Sequence, residues 1–209
     1  MNFAKDKSEM LRIVVECAEK FEHELLNREF LVLFDNRKEI LSFEFRFNRN
    51  NFLHLTGLKL LNNITANDFY DRCRNHRLSI NDFDAAADGT TQLKLEILPQ
   101  IINKNLSAKM IGDYNSSLPK LYTEKLVGGE KACIGFVCDN ITKCFVPNTL
   151  LKTDIRSLTY TVSRVVAVLR KNEADDHYNE VTYIAKNIKL ADLRLPPQFD
   201  YLKAYNDLG

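Results

Sequence analysis

Between Thr161 and Lys171 the chain carries apolar side chains on both of the faces a strand presents. Side chains alternate across an extended backbone, so Val162, Val166 and Val168 lie on one face and Val165, Ala167 and Leu169 on the other. Such a strand is covered on both sides and belongs in the interior of a sheet, not at its edge. Its ends are polar, at Arg164 and at Arg170 and Lys171. Any fold for this chain has to bring a layer to each face of that strand.

The neighbouring segments read as the rest of a sheet. Leu121 to Val127, Ala132 to Cys138 and Ile141 to Val146 form a three-strand antiparallel meander, turned at Gly128-Gly129 and Asp139-Asn140. Tyr178 to Ile188 makes a last hairpin, with Thr182, Ile184 and Lys186 on one face and Val181, Tyr183 and Ala185 on the other. Pro196-Pro197 ends the ordered pattern, and the tail reads as a surface extension.

The first half is more helical. From an Asp6 cap with Glu9 reaching back, Leu11, Val14, Val15, Ala18, Phe21 and Leu25 keep helical spacing to about Arg28. Glu29 to Phe34 is a buried strand, and Ile40 to Phe47 alternates Leu41, Phe43, Phe45 and Phe47 with Ser42, Glu44 and Arg46 as a half-buried one. These strands form a small sheet backed by the first helix. Thr65 to Asp68 has capping chemistry and opens a short helix burying Phe69, Tyr70 and Cys73. After a loop at Asp84 to Gly89, a helical segment is interrupted or restarted at Pro99, and its period continues through Leu106 and Met110 toward a stop at Gly112. The expected class is α+β, with N-terminal helices and small strands packed on a C-terminal twisted antiparallel sheet. One domain spans residues 1–209, its first helix within 1–30 and an extension over 189–209.

The stretch Asn51 to Lys59 interrupts this scaffold with reactive side chains. Read as extended, it points Leu53 and Leu55 to the core and places His54 and Thr56 together on the other face, roughly 6 to 7 Å apart. Gly57 permits a turn, and Lys59 follows within reach of whatever that pair touches. A single strand histidine is also a common hydrogen-bonded structural residue.

Charge is nearly balanced, 29 Lys and Arg against 28 Asp and Glu, so no bulk field marks a nucleic-acid binder. A local excess does exist: eight basic residues stand against four acidic between Asn36 and Ser79. Among them Arg72 and Arg74 also suit the C-terminal dipole of their helix. The five cysteines, Cys17, Cys73, Cys133, Cys138 and Cys144, contain no C-x-x-C and point to buried reduced thiols, not a disulfide frame or a zinc site. The charged start, Met1 to Glu9, and the lack of a long apolar run lead to the expectation of a cytoplasmic protein without a membrane partner.

Four stretches together resemble the phage and mobile-element branch of the barnase, EndoU, colicin and RelE-like (BECR) nuclease-like proteins. They are Phe52-Leu53-His54-Leu55-Thr56-Gly57, Phe145-Val146-Pro147-Asn148-Thr149-Leu150-Leu151-Lys152, Val166-Ala167-Val168-Leu169-Arg170-Lys171 and Tyr183-Ile184-Ala185-Lys186. The similarity is close over 52–57 and loose over 40–188. It implies helices preceding a twisted antiparallel sheet, and an endoribonuclease activity that uses no metal and no cofactor. In such enzymes the ribose 2′-OH attacks the adjacent phosphorus to leave a cyclic phosphate, which calls for a proton acceptor, a proton donor and cations around the phosphate.

By this resemblance His54 matches the family's histidine as general acid or base, and Thr56 holds a phosphate oxygen or the histidine. Lys171 and Lys186 match the family's lysines, with Lys59, Arg72, Arg74, Lys152 and Arg164 as further RNA contacts. The implied partner is RNA, structured or held in a ribonucleoprotein: a host RNA or a defence-system RNA such as a CRISPR guide. A host-defence or immunity protein is a further partner. The competing reading is a non-catalytic inhibitor that uses the same cationic groove to hold RNA or block a protein. Whether His54, Thr56 and at least one of Lys171 or Lys186 converge on an exposed cleft discriminates between these readings.

Overall fold

The structure is a computed structural model that describes residues 6–118 and 121–205. Helix α1, Lys7–Glu24, starts at Asp6, whose side chain accepts from the Ser8 amide at 3.1 Å. Glu9 does not reach back to the cap; it pairs with Arg12 at 2.6 Å. The helix buries Met10, Ile13, Val14, Cys17, Ala18 and Phe21 and ends four residues before the expected Arg28, because Asn27 turns the chain at φ 57°.

Strands β1, Arg28–Asp35, and β2, Ile40–Arg46, form a hairpin. Next come helix α2, Asn51–Thr56, and a two-strand ribbon of β3, Leu58–Leu60, and β4, Phe83–Ala85, flanking helix α3, Ala66–Arg74. Thr65 and Asp68 make a reciprocal capping box at the start of α3. Helix α4, Thr90–Ile101, runs through Pro99 without restarting, and the expected helix toward Gly112 is instead a set of turns followed by a strand. That strand is β5, Met110–Asp113. The meander follows as β6, Lys125–Gly128, β7, Cys133–Cys138, and β8, Phe145–Leu151, and the chain ends with β9, Ser163–Asn172, and β10, Glu180–Ile184.

The interior-strand expectation is met at β9. Its residues 164–172 pair with β1 on one edge, while β5 and β10 share the opposite edge. The first two strands do not form a separate small sheet. They belong to one eight-stranded sheet of order β1-β2-β8-β7-β6-β5-β9-β10, and the β1–β9 pairing closes this order into a ring. The sheet is mixed, not purely antiparallel, because β2 meets β8 in parallel. That contact is one bridge, Phe45 to Phe145, so it is the thinnest seam of the ring.

Alternation decides what each face meets except at the β9 bulge opposite Leu33 and Phe34, which groups Val165 with Val168 and Val166 with Ala167 and Leu169, where strict alternation expects Val166 with Val168. Phe30, Val32, Phe34, Phe43, Phe45, Phe136, Val165 and Val168 pack against the helices in the main core. Leu31, Leu33, Val166, Ala167 and Leu169 point the other way. The tail covers them: Leu190, Leu195, Phe199 and Leu202 are buried there, with Tyr178. The tail is therefore the second layer over β1 and β9, not a surface extension. Burying side chains of this size contributes about 1.5–3 kcal/mol each.

No helix among the described residues is long and apolar enough to cross a membrane. Of the five cysteines, Cys17, Cys73 and Cys133 are buried free thiols, and Cys138 and Cys144 are half-buried and free.

Candidate active site

Residues 51–56 are helical, and this separates the two side chains that an extended reading places together. The Asn51 carboxamide accepts from the Asn48 amide at 2.8 Å, and Gly57, at φ 69°, closes the helix with its amide on the Leu53 carbonyl. Phe52 packs on Phe21, Phe69 and Tyr70, and Leu55, three positions on, follows it into the core. Positions two apart on a helix face nearly opposite ways. His54 is consequently exposed, whereas Thr56 is fully buried, its hydroxyl donating to the Leu53 carbonyl at 2.8 Å and accepting from the Leu58 amide.

His54 has one close ionic neighbour. Lys94 of α4 donates to the His54 carbonyl at 2.8 Å, and local desolvation, then the Lys94 charge, lower the imidazole pKa. Asp88 feels both Lys94 and Lys59, so Lys59 shares this corner, as its spacing suggested. Lys94 carried no sequence signal, since its role depends on α4 crossing the end of α2.

The other candidates are dispersed. Arg72 pairs with Asp82 at 3.1 Å, Arg74 with Glu22, and Lys152 with Glu96 at 2.5 Å. Arg164 donates to the Lys186 carbonyl at 3.3 Å, which places these two cations together at the start of β9, with Lys186 exposed. Lys171 lies on the sheet face opposite the helices, paired with Glu29 at 3.0 Å. His54, Thr56 and Lys171 do not converge.

A different constellation surrounds Lys171. Lys171, Glu29 and Arg46 stand in register across β9, β1 and β2, in a row of charges at the ~4.8 Å spacing of adjacent strands. Glu44 lies two residues before Arg46 and so on the same face. Tyr178 arrives from the β9–β10 connection and donates its hydroxyl to Glu44 at 2.8 Å; the Lys171 ammonium sits 5.5 Å from its ring. Burial, then the Glu44 charge, pushes the Tyr178 pKa far up, so the phenol remains a donor.

Glu29, Glu44, Arg46 and Tyr178 line a cavity of about 390 Å³ that Lys143, Cys144 and Phe145 complete at the β2–β8 seam, with Lys171 outside its wall and reaching it only through Glu29. Within it, the Arg46 Nε is buried without a hydrogen-bond partner, and the guanidinium makes no ion pair among the described residues. Glu29, Glu44 and Arg46 alternate with core residues in the sequence, a signal equally expected of any solvated strand face, and their partner Tyr178 is too distant in sequence to be linked to them.

A family model described as phage-Barnase-EndoU-ColicinE5/D-RelE like nuclease4, PBECR4, matches residues 13–187. The chain belongs to the PBECR4 family. No curated protein and no solved structure matches it. The matched span of this PBECR4 chain includes all ten strands and every residue of the cavity, and also α1 from Ile13 onward, which the motif resemblance left out. Membership of a nuclease-like family makes a nucleic acid the natural substrate. No group of three or more His, Cys, Asp or Glu among the described residues is arranged to hold a metal ion. The PBECR4 cavity does offer a carboxylate to take a proton, a guanidinium to hold a phosphate, and a second cation, Lys143.

Proposed function

We propose that this PBECR4 chain is a metal-independent endoribonuclease that cleaves at the sheet-face cavity. Arg46 carries the reading: its guanidinium is half-buried on the cavity wall, within electrostatic range of Asp139 but in no ion pair among the described residues, and can hold an anion such as a phosphate. Glu44, oriented by Tyr178, takes the proton from the ribose 2′-OH as the 2′-oxygen bonds to phosphorus. The bond from phosphorus to the 5′-oxygen breaks, and Lys143 at the cavity rim returns a proton to the leaving oxygen. Arg46, with Lys171 beside Glu29, offsets the charge that develops on the phosphate. A phage or mobile-element setting, and a host or defence-system RNA such as a CRISPR guide as the target, rest on the family resemblance and are part of the proposal.

A second reading centres on His54. Its imidazole is exposed, held neutral by a lowered pKa and adjacent to the Lys94 ammonium, a pairing able to accept a proton beside a phosphate. Lys59 would then assist, and Lys186 and Arg164 would act only as distant RNA contacts.

Structured RNAs incubated with the protein in EDTA, with the product ends mapped, separate these readings. The wild type should leave 2′,3′-cyclic phosphate ends, Glu44→Gln should cut about 10² to 10⁴-fold more slowly, and His54→Ala should cut normally. The reverse pattern, with native circular dichroism for both variants, moves the centre to His54. Tight RNA binding without cleavage by the wild type leaves the non-catalytic inhibitor.

A further inference from the structure

Two cavities larger than the one assigned to cleavage share a single lining side chain, Arg37. The first, about 440 Å³, is walled by Asn36, Tyr160, Thr161 and Ser163 and by Arg156, whose charge is already taken by Asp154 and Glu130. The second, about 820 Å³, holds Lys38, Arg194 and Pro196, with the carboxylates Asp35 and Glu39 also on its wall. Arg37, Lys38 and Arg194 form no ion pairs among the described residues, unlike Arg72, Arg74 and Lys152.

The turn that carries Arg37 is rigidly built. Arg37 sits at φ 73°, a left-handed position that a side chain disfavours, and its amide donates to Asp35 Oδ1 at 2.6 Å. Asn36 Oδ1 accepts from both the Lys38 and Glu39 amides at 2.9 Å. The guanidinium is thereby projected from a fixed turn at the junction of the two cavities. Tyr160, 63% exposed, sits across the first cavity with its hydroxyl 3.3 Å from Ser116 Oγ, which leaves the ring available for stacking.

Residues 37–41 line the second cavity and residues 42–46 the cleavage cavity, so the two follow one another along β2. Over residues 40–44 the outer edge of β2 has no ladder partner among the described residues, since its bridge to β8 is at Phe45. We infer that RNA runs as an extended single strand along this edge, with a distal subsite in which Tyr160 stacks a base and Arg37 holds a phosphate. The inference rests on the proposed nuclease reading and defines its substrate. A duplex hides the base faces a tyrosine ring needs, whereas an unpaired strand exposes them. Arg46 ends β2, whose Ile40–Arg46 run covers roughly 20 Å, and Arg37 stands in the turn beyond its start, so the subsite engages only substrates of several nucleotides.

The test uses fluorescent single-stranded RNA decamers, matched blunt duplexes and a dinucleotide. Binding is read by anisotropy on the Glu44→Gln protein, and cleavage on the protein with Glu44 intact. Adding Arg37→Ala with Tyr160→Ala should weaken decamer binding about 10- to 100-fold, the loss of a stacked base and a phosphate contact. The same pair should leave dinucleotide cleavage unchanged. Equal affinity for decamer and duplex, or undiminished decamer binding by the double variant, overturns the track while leaving the nuclease reading intact. Decamer binding that depends on Arg37 and Tyr160, in a wild type that cuts nothing, supports the track and removes the nuclease reading.

Discussion

His54 and Arg46 are each placed by their side-chain direction, and each placement has a measurable consequence. The pKa of His54 is lowered first by desolvation and then by Lys94. Lys94→Met should therefore raise it toward the ordinary ~6.5, as followed by proton NMR titration of the ring. Because the folded value lies below the unfolded one, the neutral imidazole contributes its full stability above pH ~6.5, and that contribution is lost as pH falls toward the folded pKa. His54→Gln should thus lose less stability than the wild type between pH 7 and 5 in urea unfolding. Arg46 makes the opposite case: its buried Nε bonds to nothing, so the folded state gains little from its charge. Arg46→Met should keep or raise the unfolding free energy while abolishing RNA binding at the cavity. A loss of several kcal/mol would make Arg46 a scaffold residue. The sequence displayed His54 because it breaks an apolar pattern, and concealed Arg46 because it fits one.

At the scale of elements, a regular period made most of the fold legible. Helix α1, the β1–β2 hairpin, the α3 cap and the two-faced β9 all follow from spacing. Residues 52–56 are ambiguous in sequence because five residues with apolar positions at 52, 53 and 55 satisfy both alternation and a single helical turn. Gly57 decides between them, since its φ of 69° suits a helix stop. An added Cβ there would also lie 2.8 Å from Lys94 Cδ, so Gly57→Ala should cost at least about 1 kcal/mol. The tail's role is hidden in the sequence for a different reason: Leu190, Leu195, Phe199 and Leu202 follow no single period, yet together they cover β1 and β9. Leu202→Ala should lower stability by roughly 2–5 kcal/mol in chemical denaturation, as a core truncation does. A change within about 0.5 kcal/mol would return the tail to the surface.

Across the whole molecule, the cavity exists only because distant segments meet. Glu29 and Lys171 face each other through the β1–β9 ladder, Tyr178 returns to Glu44, and residues 143–145 complete the wall across the β2–β8 seam. Periodicity identifies strands but not their partners, so the two-faced β9 was readable and its pairing with β1 was not. The same long-range pairing separates His54 from Lys171, placing them on opposite sides of the sheet. It also concentrates local weakness at the cavity: β1 is paired along its length on both edges, whereas β2 and β8 share one bridge. Opening of the seam breaks few hydrogen bonds, so amides at Arg46 and Phe145 should exchange with deuterium well before those at Leu31 and Leu169. If RNA lies in this cavity, adding it to the Glu44→Gln protein should slow exchange at the seam and leave the His54 helix unchanged. Seam amides as protected as the β1–β9 ladder would show that the ring closes more firmly than its bridge suggests. Protection centred on α2 and α4 would instead place the RNA on the helical side, beside His54 and Lys94.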